Sequence, residues 1–255
     1  MSEFNVKIAG CTIAVTAVHP KMKEIFKDYL TEEAPLLAVE SDESDILAEC
    51  QHIMQSYIDK HVPDDSILAL EAENNLLYQK VAERLSDQRV VLMHGSAIAV
   101  DGEAYIFVAP SGTGKSTHAR LWRDMFGSHA VMINDDRPFL KCTDDEIVVC
   151  GSPWNGKHHL GSNLYVPLKA ICFLERGEYN RIEQIDSAEA FFQMFRFVYY
   201  SKDAEREARI LQLLHCIREK TAFYRLQCNT EPVAAAVSYE GMKAGIINEN
   251  KKIGG

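Results

Sequence analysis

One stretch of nine residues, 109–117, has the residue types and the spacing to bind a chain of phosphates. Gly112 and Gly114 let the backbone approach an anion and adopt dihedral angles that are closed to other residues. Successive backbone amides in such a turn, with the positive end of the following helix, can hold several negative charges. Lys115 supplies a positive charge for the β- and γ-phosphates, and the hydroxyl of Ser116 is suited to bind Mg²⁺.

The residues around this stretch also favour a nucleotide site. Residues 104–108 are apolar and predict a strand, whereas residues 118–126 are amphipathic and predict a helix. The stretch departs from the pattern G-x-x-x-x-G-K-[ST] at Ala109, and alanine is the smallest replacement for the usual glycine. The expected nucleotide-binding residues are Ser111, Gly112, Thr113, Gly114, Lys115, Ser116 and Thr117.

A pair of acids follows the next predicted strand. Residues 130–133 are apolar, and the chain continues as Asn134-Asp135-Asp136-Arg137. Carboxylates at the carboxyl end of a strand beside a phosphate loop suit metal binding and general-base chemistry. One acid can hold Mg²⁺, directly or through water, and the other can take a proton from an attacking hydroxyl. The alternative is a turn with solvated acids.

The pattern before the loop predicts an antiparallel neighbour for the strand that enters it. Residues 90–100 are strongly β-like, and Asp101-Gly102 between two apolar runs predicts a hairpin turn. Beyond the acid pair, residues 151–159 form a polar, turn-rich segment that could contact phosphate or substrate. In that segment Lys157 could touch a phosphoryl group, and Trp154 could stack or anchor the segment.

Alternating strand and helix patterns continue to residue 242. Residues 168–174 predict a strand, and residues 180–185 are expected as its hairpin partner. The other expected elements are a hairpin at 139–142 and 147–150, helices at 188–198, 204–217 and 231–242, and a strand at 222–228.

The first part of the chain offers no catalytic constellation. A hairpin at 4–17, a helix beginning at Pro20, a strand at 36–39, a helix capped by Ser41 or Ser44 and a helix at 66–85 are expected. We therefore divide the chain into an N-terminal α+β segment for docking or assembly at 1–86, a catalytic domain at 87–245 and a flexible tail at 246–255.

Composition limits the class of protein. The 255 residues carry a net charge of −10, so a nucleic-acid partner is not expected. Seven cysteines, with no C-x-x-C pair, indicate a reducing compartment without structural zinc. The sequence shows neither a basic-then-apolar leader nor an apolar run approaching about 20 residues. We therefore expect a cytoplasmic protein without a membrane partner.

The ordered set of His94-Gly95, the glycine-rich loop and Ile133-Asn134-Asp135-Asp136 resembles the catalytic domain of HPr kinase/phosphorylase. ATP-dependent phosphoenolpyruvate carboxykinase shares that nucleotide fold. The resemblance covers residues 88–175 by motif, and extends to about residue 240 by element order. It implies an α/β fold of α+β character, with a mixed sheet and flanking helices.

The resemblance also implies roles for individual residues. Asp135 matches a general base toward serine, and Asp136 matches a neighbour that supports the site or the metal. His94 matches a histidine near the transferred phosphoryl group, and Ser116 matches the magnesium-binding hydroxyl. Glu175 matches a second magnesium-binding acid. The implied cofactors are ATP and Mg²⁺.

One family signature differs in this chain. The family pattern E-x-R-G-x-G is replaced by Glu175-Arg176-Gly177-Glu178-Tyr179-Asn180. The chain is therefore most similar to divergent HPr-kinase-like proteins, some of which phosphorylate serine on modified peptides. HPr kinases assemble into oligomers, so a homo-oligomer is a further implication.

The leading hypothesis is an ATP-dependent kinase that acts on a hydroxyl of a peptide, a protein or a small molecule. Small-metabolite kinases begin near their phosphate loop, whereas about 100 residues precede it here. A carboxykinase is the next alternative, although no oxaloacetate site is evident. An ABC-type ATPase would carry an L-S-G-G-Q-like signature, which this sequence lacks. A nucleotide-binding scaffold without turnover also stays open.

Overall fold

The computed structural model describes residues 1–55 and 64–245. These residues belong to two compact units, Met1–Gln88 and the part of the chain from Arg89 onward. The expected helix break at Pro63 and the expected flexible tail at 246–255 lie outside the described residues. Within those residues, no helix has the length and apolar character needed to cross a bilayer.

The first unit contains a three-stranded mixed sheet and helices. Its elements are β1 (Ser2–Ile8), β2 (Cys11–Ala17), α1 (Met22–Ile25), β3 (Leu37–Glu40), α2 (Glu43–Gln55) and α3 (Asp65–Ser86). β2 lies in the centre, antiparallel to β1 and parallel to β3. The expected N-terminal hairpin is therefore confirmed, and its turn contains Ala9 and Gly10, both with positive φ.

Two local predictions for the first unit are wrong. The helix expected from Pro20 ends at Ile25, because the chain continues as a short 3-10 turn and Leu30 bridges back to Val6. Asp42, rather than Ser41 or Ser44, accepts the amide of Asp45 (2.8 Å) at the start of α2. A carboxylate is a strong acceptor for the free amides of a helix start.

A buried carboxylate connects the elements of the first unit. Glu73 of α3 is fully buried, and it accepts hydrogen bonds from the amides of Val18 (2.5 Å) and His19 (2.8 Å). It also accepts the hydroxyl of Ser41 (2.5 Å). These three donors compensate for the removal of its charge from water.

We expect Glu73→Gln to lower the free energy of unfolding of the first unit by about 2–4 kcal/mol, because an amide group would face backbone N–H donors. Hydrogen exchange at the amides of Val18 and His19 measures the effect locally, and both should exchange faster. Glu71→Gln, at an exposed position of the same helix, is the matched control. Unchanged exchange in the Glu73 variant would contradict the proposed structural role.

The second unit is built on a nine-stranded mixed sheet, which confirms the expected α+β architecture. Its strands are β4 (Val90–Leu92), β5 (Ser96–Val100), β6 (Glu103–Val108), β7 (Ala130–Asn134), β8 (Phe139–Cys142), β9 (Ile147–Cys150), β10 (Tyr165–Arg176), β11 (Arg181–Gln184) and β12 (Ala222–Cys228). Its helices are α4 (Lys115–Phe126), α5 (Ser187–Met194), α6 (Ala204–Lys220) and α7 (Val233–Met242). The strand order is β4-β8-β9-β10-β6-β5-β7, and β12 pairs with β10 and β11.

Two strand predictions for this unit need correction. The β-like run at 90–100 is broken at Met93–Gly95, so β4 pairs with β8 whereas β5 pairs with β6 and β7. The segment at 180–185 forms β11, which pairs with β12 and not with β10. In this part of β10 both edges are already occupied, by the parallel strands β6 and β12.

Alternating side chains of β10 contribute to two separate cores. Ile171 and Phe173 belong to a cluster that includes residues of α5 and α6. Cys172 and Leu174 belong to a cluster that includes residues of α4 and α7. Because successive side chains of a strand point to opposite faces, the helices cover the sheet on both sides.

The strand order brings three chain segments to one edge of the sheet. β5 lies between β6 and β7 and is antiparallel to both, so β6 and β7 run in the same direction. The carboxyl ends of β6 and β7 and the amino end of β5 therefore lie at the same edge. The turn before β5, the glycine-rich loop after β6 and the acidic turn after β7 meet there.

α4 carries a buried histidine, His118, on the side that packs against the aromatic core. His118 is 3% exposed, its ring contacts Phe107, and its Nε2 is 3.0 Å from the hydroxyl of Ser238. The same hydroxyl accepts the indole N–H of Trp122 at 2.8 Å. Burial lowers the pKa of His118 to about 4, because the charged imidazolium is disfavoured away from water. Met125 of the same helix, in contrast, is 47% exposed.

We expect acid to destabilise the second unit through His118. Histidine in an unfolded chain takes up a proton below about pH 6.5, whereas His118 in the folded protein takes one up only near pH 4. Stability is therefore unaffected near neutral pH and falls across this window, by up to about 3 kcal/mol. Urea unfolding followed by tryptophan fluorescence measures it, since both tryptophans, Trp122 and Trp154, lie in this unit.

The variant His118→Gln should lose that part of the pH dependence, because glutamine does not titrate. His129→Gln removes an exposed histidine of the same unit and is the control. An equal fall in stability between about pH 6.5 and pH 4 for the wild type and His118→Gln would contradict this assignment.

Candidate active site

The glycine-rich loop connects β6 to α4, and its conformation depends on two glycines. Gly112 and Gly114 have positive φ angles of 77° and 127°. An added Cβ at either position would meet nothing within 4 Å, so the dihedral angle and not a lack of space requires glycine. Gly114 is the N-cap residue of α4 and provides no side-chain cap, so a ligand can use the first helical amides. Ala109 has a negative φ, which is compatible with its methyl group.

Lys115 is the first residue of α4 and is half-buried. Its ammonium donates to the carbonyl of Ala109 at 2.7 Å. Burial lowers the pKa of Lys115, and the negative charge of Asp136 opposes that shift. A bound phosphate would give this ammonium a charged acceptor in place of a carbonyl, and charge-assisted hydrogen bonds are stronger.

Asn134 organises the acidic turn from the end of β7. Its side chain is fully buried, and Nδ2 donates to the hydroxyl of Ser152 and to Oδ1 of Asn155, both at 3.1 Å. Its Oδ1 accepts the amides of Asp136 (2.8 Å) and Arg137 (2.5 Å). One side chain therefore fixes the acidic turn to the loop that precedes β10.

Asp135 is 7% exposed, and the same loop holds it in place. The amide of Gly156 donates to its Oδ1 at 2.6 Å. A Cβ at position 156 would lie 3.2 Å from Oδ2 of Asp135 and 3.4 Å from Cβ of Asp136. Glycine at this position therefore lets the loop pack directly against both acids.

Asp136 is kept ionised by its neighbours. Burial alone would raise its pKa, but the hydrogen bond from His94 and the electrostatic attraction of His94, Arg137 and Lys115 outweigh burial and lower it. Nδ1 of His94 lies 3.2 Å from Oδ1 of Asp136, and Nε of Arg137 lies 3.4 Å from Oδ2. Asp136 is therefore negatively charged at neutral pH.

The turn before β5 brings His94 to the acids. The amide of Gly95 donates to the carbonyl of Asp136 at 2.9 Å. The amide of His94 donates to the carbonyl of Phe197 at 2.6 Å. A Cβ at position 95 would lie 3.0 Å from side-chain atoms of both Ile106 and Val108. The glycine of the His-Gly pair thus has a steric reason, since a Cβ at this position would force the neighbouring atoms of β6 to move by a few tenths of an ångström.

These segments line one cavity of about 510 Å³, here called the phosphate cavity. Its lining residues are His94, Ser111, Gly112, Gly114, Lys115, Ser116, Thr117, Asp135, Asp136, Gly156 and Lys157. The cavity brings together every expected site residue except Thr113, which lies in the loop itself, and Glu175.

Glu175 is directed toward a different neighbour. It lies near the end of β10, and its carboxylate contacts Arg225 (3.3 Å) and the amide of Gln227 (3.5 Å). The next residue, Arg176, donates to the carbonyls of Gly112 and Thr113 in the glycine-rich loop. At this edge the arginine, and not the expected metal-binding acid, therefore supports the loop.

The loop between β9 and β10 contributes to the cavity through Gly156 and Lys157. Trp154, for which stacking on a ligand or anchoring of the loop was expected, is 2% exposed and packs against Phe139 with 6.2 Å between ring centroids. It therefore anchors the loop. Contact between the loop and a substrate stays a prediction.

The phosphate cavity has oxygen donors that suit Mg²⁺. The carboxylates of Asp135 and Asp136 and the hydroxyl of Ser116 line it. Within residues 1–55 and 64–245, no group of three or more His, Cys, Asp or Glu side chains could hold a metal ion. The donors fit an ion that shares its coordination with phosphate oxygens and water, as is usual for Mg²⁺.

Three supporting residues were not expected to shape the site. Asn134 had a local signal, because a buried asparagine that ends an apolar strand must find hydrogen-bond partners. Gly156 and Arg176 had none, because their contacts join segments that are distant in the chain.

Comparisons with known proteins add little to this geometry. No protein-family model matches the chain, and no significant match is found among curated proteins. Among solved structures, the Hpr(Ser) kinase/phosphatase from Coxiella burnetii aligns with 50% of this chain and 96% of its own. The sequence identity is 13% and the TM-score is 0.29, so this similarity carries no argument about function.

Proposed function

We propose that this protein transfers the γ-phosphoryl group of ATP to a hydroxyl group of an acceptor, with Asp135 as the general base. The observation that carries the proposal is that the glycine-rich loop, Lys115 and the acid pair line one cavity. Phosphoryl transfer depends on positioning, neutralisation of charge and a base, and these groups are suited to supply them.

In the proposed transfer, the acceptor oxygen forms a bond to the γ-phosphorus, and the bond from that phosphorus to the β–γ bridging oxygen breaks. ADP leaves with the bridging oxygen, and the hydroxyl proton passes to the carboxylate of Asp135. The amide of Gly156 orients that carboxylate. The loop amides and Lys115 hold the β- and γ-phosphates.

The remaining polar groups have supporting roles in this proposal. Ser116 and Asp136 would hold Mg²⁺ that arrives with the nucleotide, with Asp135 adjoining. When bound, Mg²⁺ neutralises negative charge on the phosphate oxygens. The lowered pKa of Asp136 keeps this carboxylate ionised beside the proposed base. His94, which is hydrogen-bonded to Asp136, would lie near the transferred group.

The acceptor of this proposed kinase is a peptide, a protein or a small molecule. A net charge of −10 argues against nucleic acid. Location in the cytoplasm, expected from the cysteine content, and assembly into a homo-oligomer, implied by the family resemblance, are part of the same proposal.

The test has two stages and uses the full chain. Isothermal titration calorimetry should detect binding of ATP and ADP that strengthens when Mg²⁺ is added. ATP labelled in its γ-phosphate is then incubated with the protein, Mg²⁺ and cell extract separated into small-molecule and protein fractions. Label should appear in an acceptor.

The two stages separate the alternatives. Nucleotide binding without transfer to either fraction would contradict the kinase and support a nucleotide-binding assembly protein. A folded protein with no affinity for ATP or ADP in the presence of Mg²⁺ would contradict both.

A further inference from the structure

A second, smaller cavity of about 250 Å³ adjoins the phosphate cavity. Both cavities are lined by Ser116, Thr117, Asp135 and Lys157, so the proposed base lies where the two meet. Arg120 and Arg123 of α4 line the smaller one, which is here called the arginine cavity.

The arginines continue the helical face that carries Ser116. Residues separated by four and seven positions lie on one side of a helix, so Ser116, Arg120 and Arg123 share a face. At a rise of about 1.5 Å per residue, Arg120 lies about 6 Å and Arg123 about 10 Å along the helix axis from Ser116. This is the length scale of a small molecule.

The arginines of the arginine cavity have no ion-pair partner among the described residues. The guanidinium groups of Arg120 and Arg123 form no ion pair there, and Nε of Arg123 is buried without a hydrogen bond. Lys157 adds a further positive charge, and Asp135 is the one carboxylate in the described lining. Leaving the buried Nε–H of Arg123 unpaired costs free energy that a bound anion would recover. The surplus is notable in a chain with a net charge of −10.

A neutral donor lies in the same cavity. Ser96, the first residue of β5, is fully buried, and its hydroxyl has no hydrogen-bond partner in the described structure. Buried hydroxyls are normally hydrogen-bonded, so this group also indicates a polar ligand. The arginines can bind an anionic group, and the hydroxyl of Ser96 can bind a second polar group. Together they indicate a polar ligand that carries both groups.

The volume of the cavity restricts the ligand further. Cavities for drug-sized ligands have volumes of about 300–1,000 Å³, and the arginine cavity is smaller than that range. A folded protein partner would instead bury about 800 Å² of surface on each side. The arginine cavity is therefore of a size for a free small molecule.

We propose that the acceptor is a small hydroxy acid, whose carboxylate or phosphate binds Arg120 and Arg123 while its hydroxyl lies at Asp135. This inference rests on the proposed function, because it assigns the acceptor of the same transfer. Two arginines hold the anionic group with charge-assisted hydrogen bonds, and the fixed length of the molecule sets the hydroxyl beside the base.

The experiment compares acceptors that differ in their anionic group. The wild-type chain with MgATP is given glycerate or glycerol, L-serine or L-serinamide, and glycerol 3-phosphate, and ADP release and phosphorylated product are measured. We expect transfer to at least one member with a carboxylate or phosphate, with kcat/KM about 10- to 100-fold above the analogue that lacks this group. The glycerate and glycerol phosphate arms distinguish a carboxylate from a phosphate as the recognised group.

Variants test the arginines directly. Arg120→Gln and Arg123→Gln should each raise KM for the reactive anionic acceptor by about 10- to 100-fold. The affinity for ATP, measured by calorimetry, should stay within twofold. Arg181→Gln, at a position whose side chain is 77% exposed, is the matched control. Arg120 is itself exposed, so its variant is informative even if Arg123→Gln folds poorly.

Several results would overturn the inference. Equal rates with an acid and its neutral analogue would remove the role of the anion. Arginine variants that weaken ATP binding instead of acceptor binding would assign the cavity to the nucleotide. Transfer only to a serine peptide or a protein would exclude a small acceptor. Binding of MgATP without transfer to any of the small acceptors tested would also contradict a small hydroxy acid as the acceptor. Failure of MgATP to bind would instead contradict the proposed function itself.

Discussion

Asp135→Asn should lower the rate of phosphoryl transfer by about 10²- to 10⁴-fold, the usual contribution of a general base, while binding of MgATP persists. The structure explains why the variant should fold. Asparagine retains the Oδ1 that accepts the amide of Gly156 at 2.6 Å, so the loop can still pack on the acidic turn. Its second group, an amide, cannot take the proton of an acceptor.

The measurement follows transfer from γ-labelled ATP under single-turnover conditions and the binding of ADP by calorimetry. Asp145→Asn, an exposed position in the turn between β8 and β9, is the control for removal of one carboxylate from the same unit. Wild-type transfer rates in Asp135→Asn would show that another group accepts the proton. Loss of nucleotide binding together with activity would indicate a role for Asp135 in binding.

Lys115→Met should lower the affinity for ATP by about 10- to 100-fold, the value of a charge-assisted hydrogen bond to phosphate. The rate of transfer should fall further, by about 10²- to 10³-fold, because a fixed positive charge also stabilises the transferring phosphoryl group. The ammonium is half-buried, and among the described residues it donates only to a carbonyl, that of Ala109. A bound phosphate is its natural charged partner.

Lys115→Met should weaken the binding of ATP without lowering the free energy of unfolding. Burial lowers the pKa of Lys115, so the folded protein holds the charged form less favourably than water does. Replacing the ammonium by a thioether should therefore leave the free energy of unfolding almost unchanged, which urea denaturation can measure. Lys202→Met, at an exposed position, is the control. Unchanged ATP affinity in Lys115→Met would contradict the nucleotide site.

Asp135 and Lys115 come from different segments of the chain. How well such a residue is predicted from sequence depends on how far apart in the chain its interacting residues are. Lys115 was expected because its loop is a continuous stretch in which two glycines, a lysine and a hydroxyl have fixed spacing. The expected antiparallel neighbour of β6 had a similar basis, since Asp101 and Gly102 adopt positive φ angles of 50° and 85°. Such signals work because the interactions that decide them span only a few residues.

Predictions that needed pairing between distant segments were less successful. The segment at 180–185 was expected beside β10, but parallel strands occupy both edges there, and no local pattern reveals this. Glu175 was expected near the metal, but its carboxylate contacts Arg225. The partner of a side chain at the end of a strand depends on which strand lies next to it.

The sequence by itself determined the chemistry that this protein has available: a loop of backbone amides with Lys115, and an acid pair after the next strand. It also determined the mixed α and β character, because strand and helix periodicities are local. Only the tertiary structure decided that these groups line one cavity. The antiparallel position of β5 brings His94, the loop and Asp135 to the same edge, and Asn134 and Arg176 hold the segments through contacts between residues far apart in the chain. The tertiary structure likewise placed Arg120 and Arg123 in a second cavity, which has Asp135 in common with the phosphate cavity. The shape of a cavity and the pairing of its charges depend on how the elements pack and not on sequence spacing.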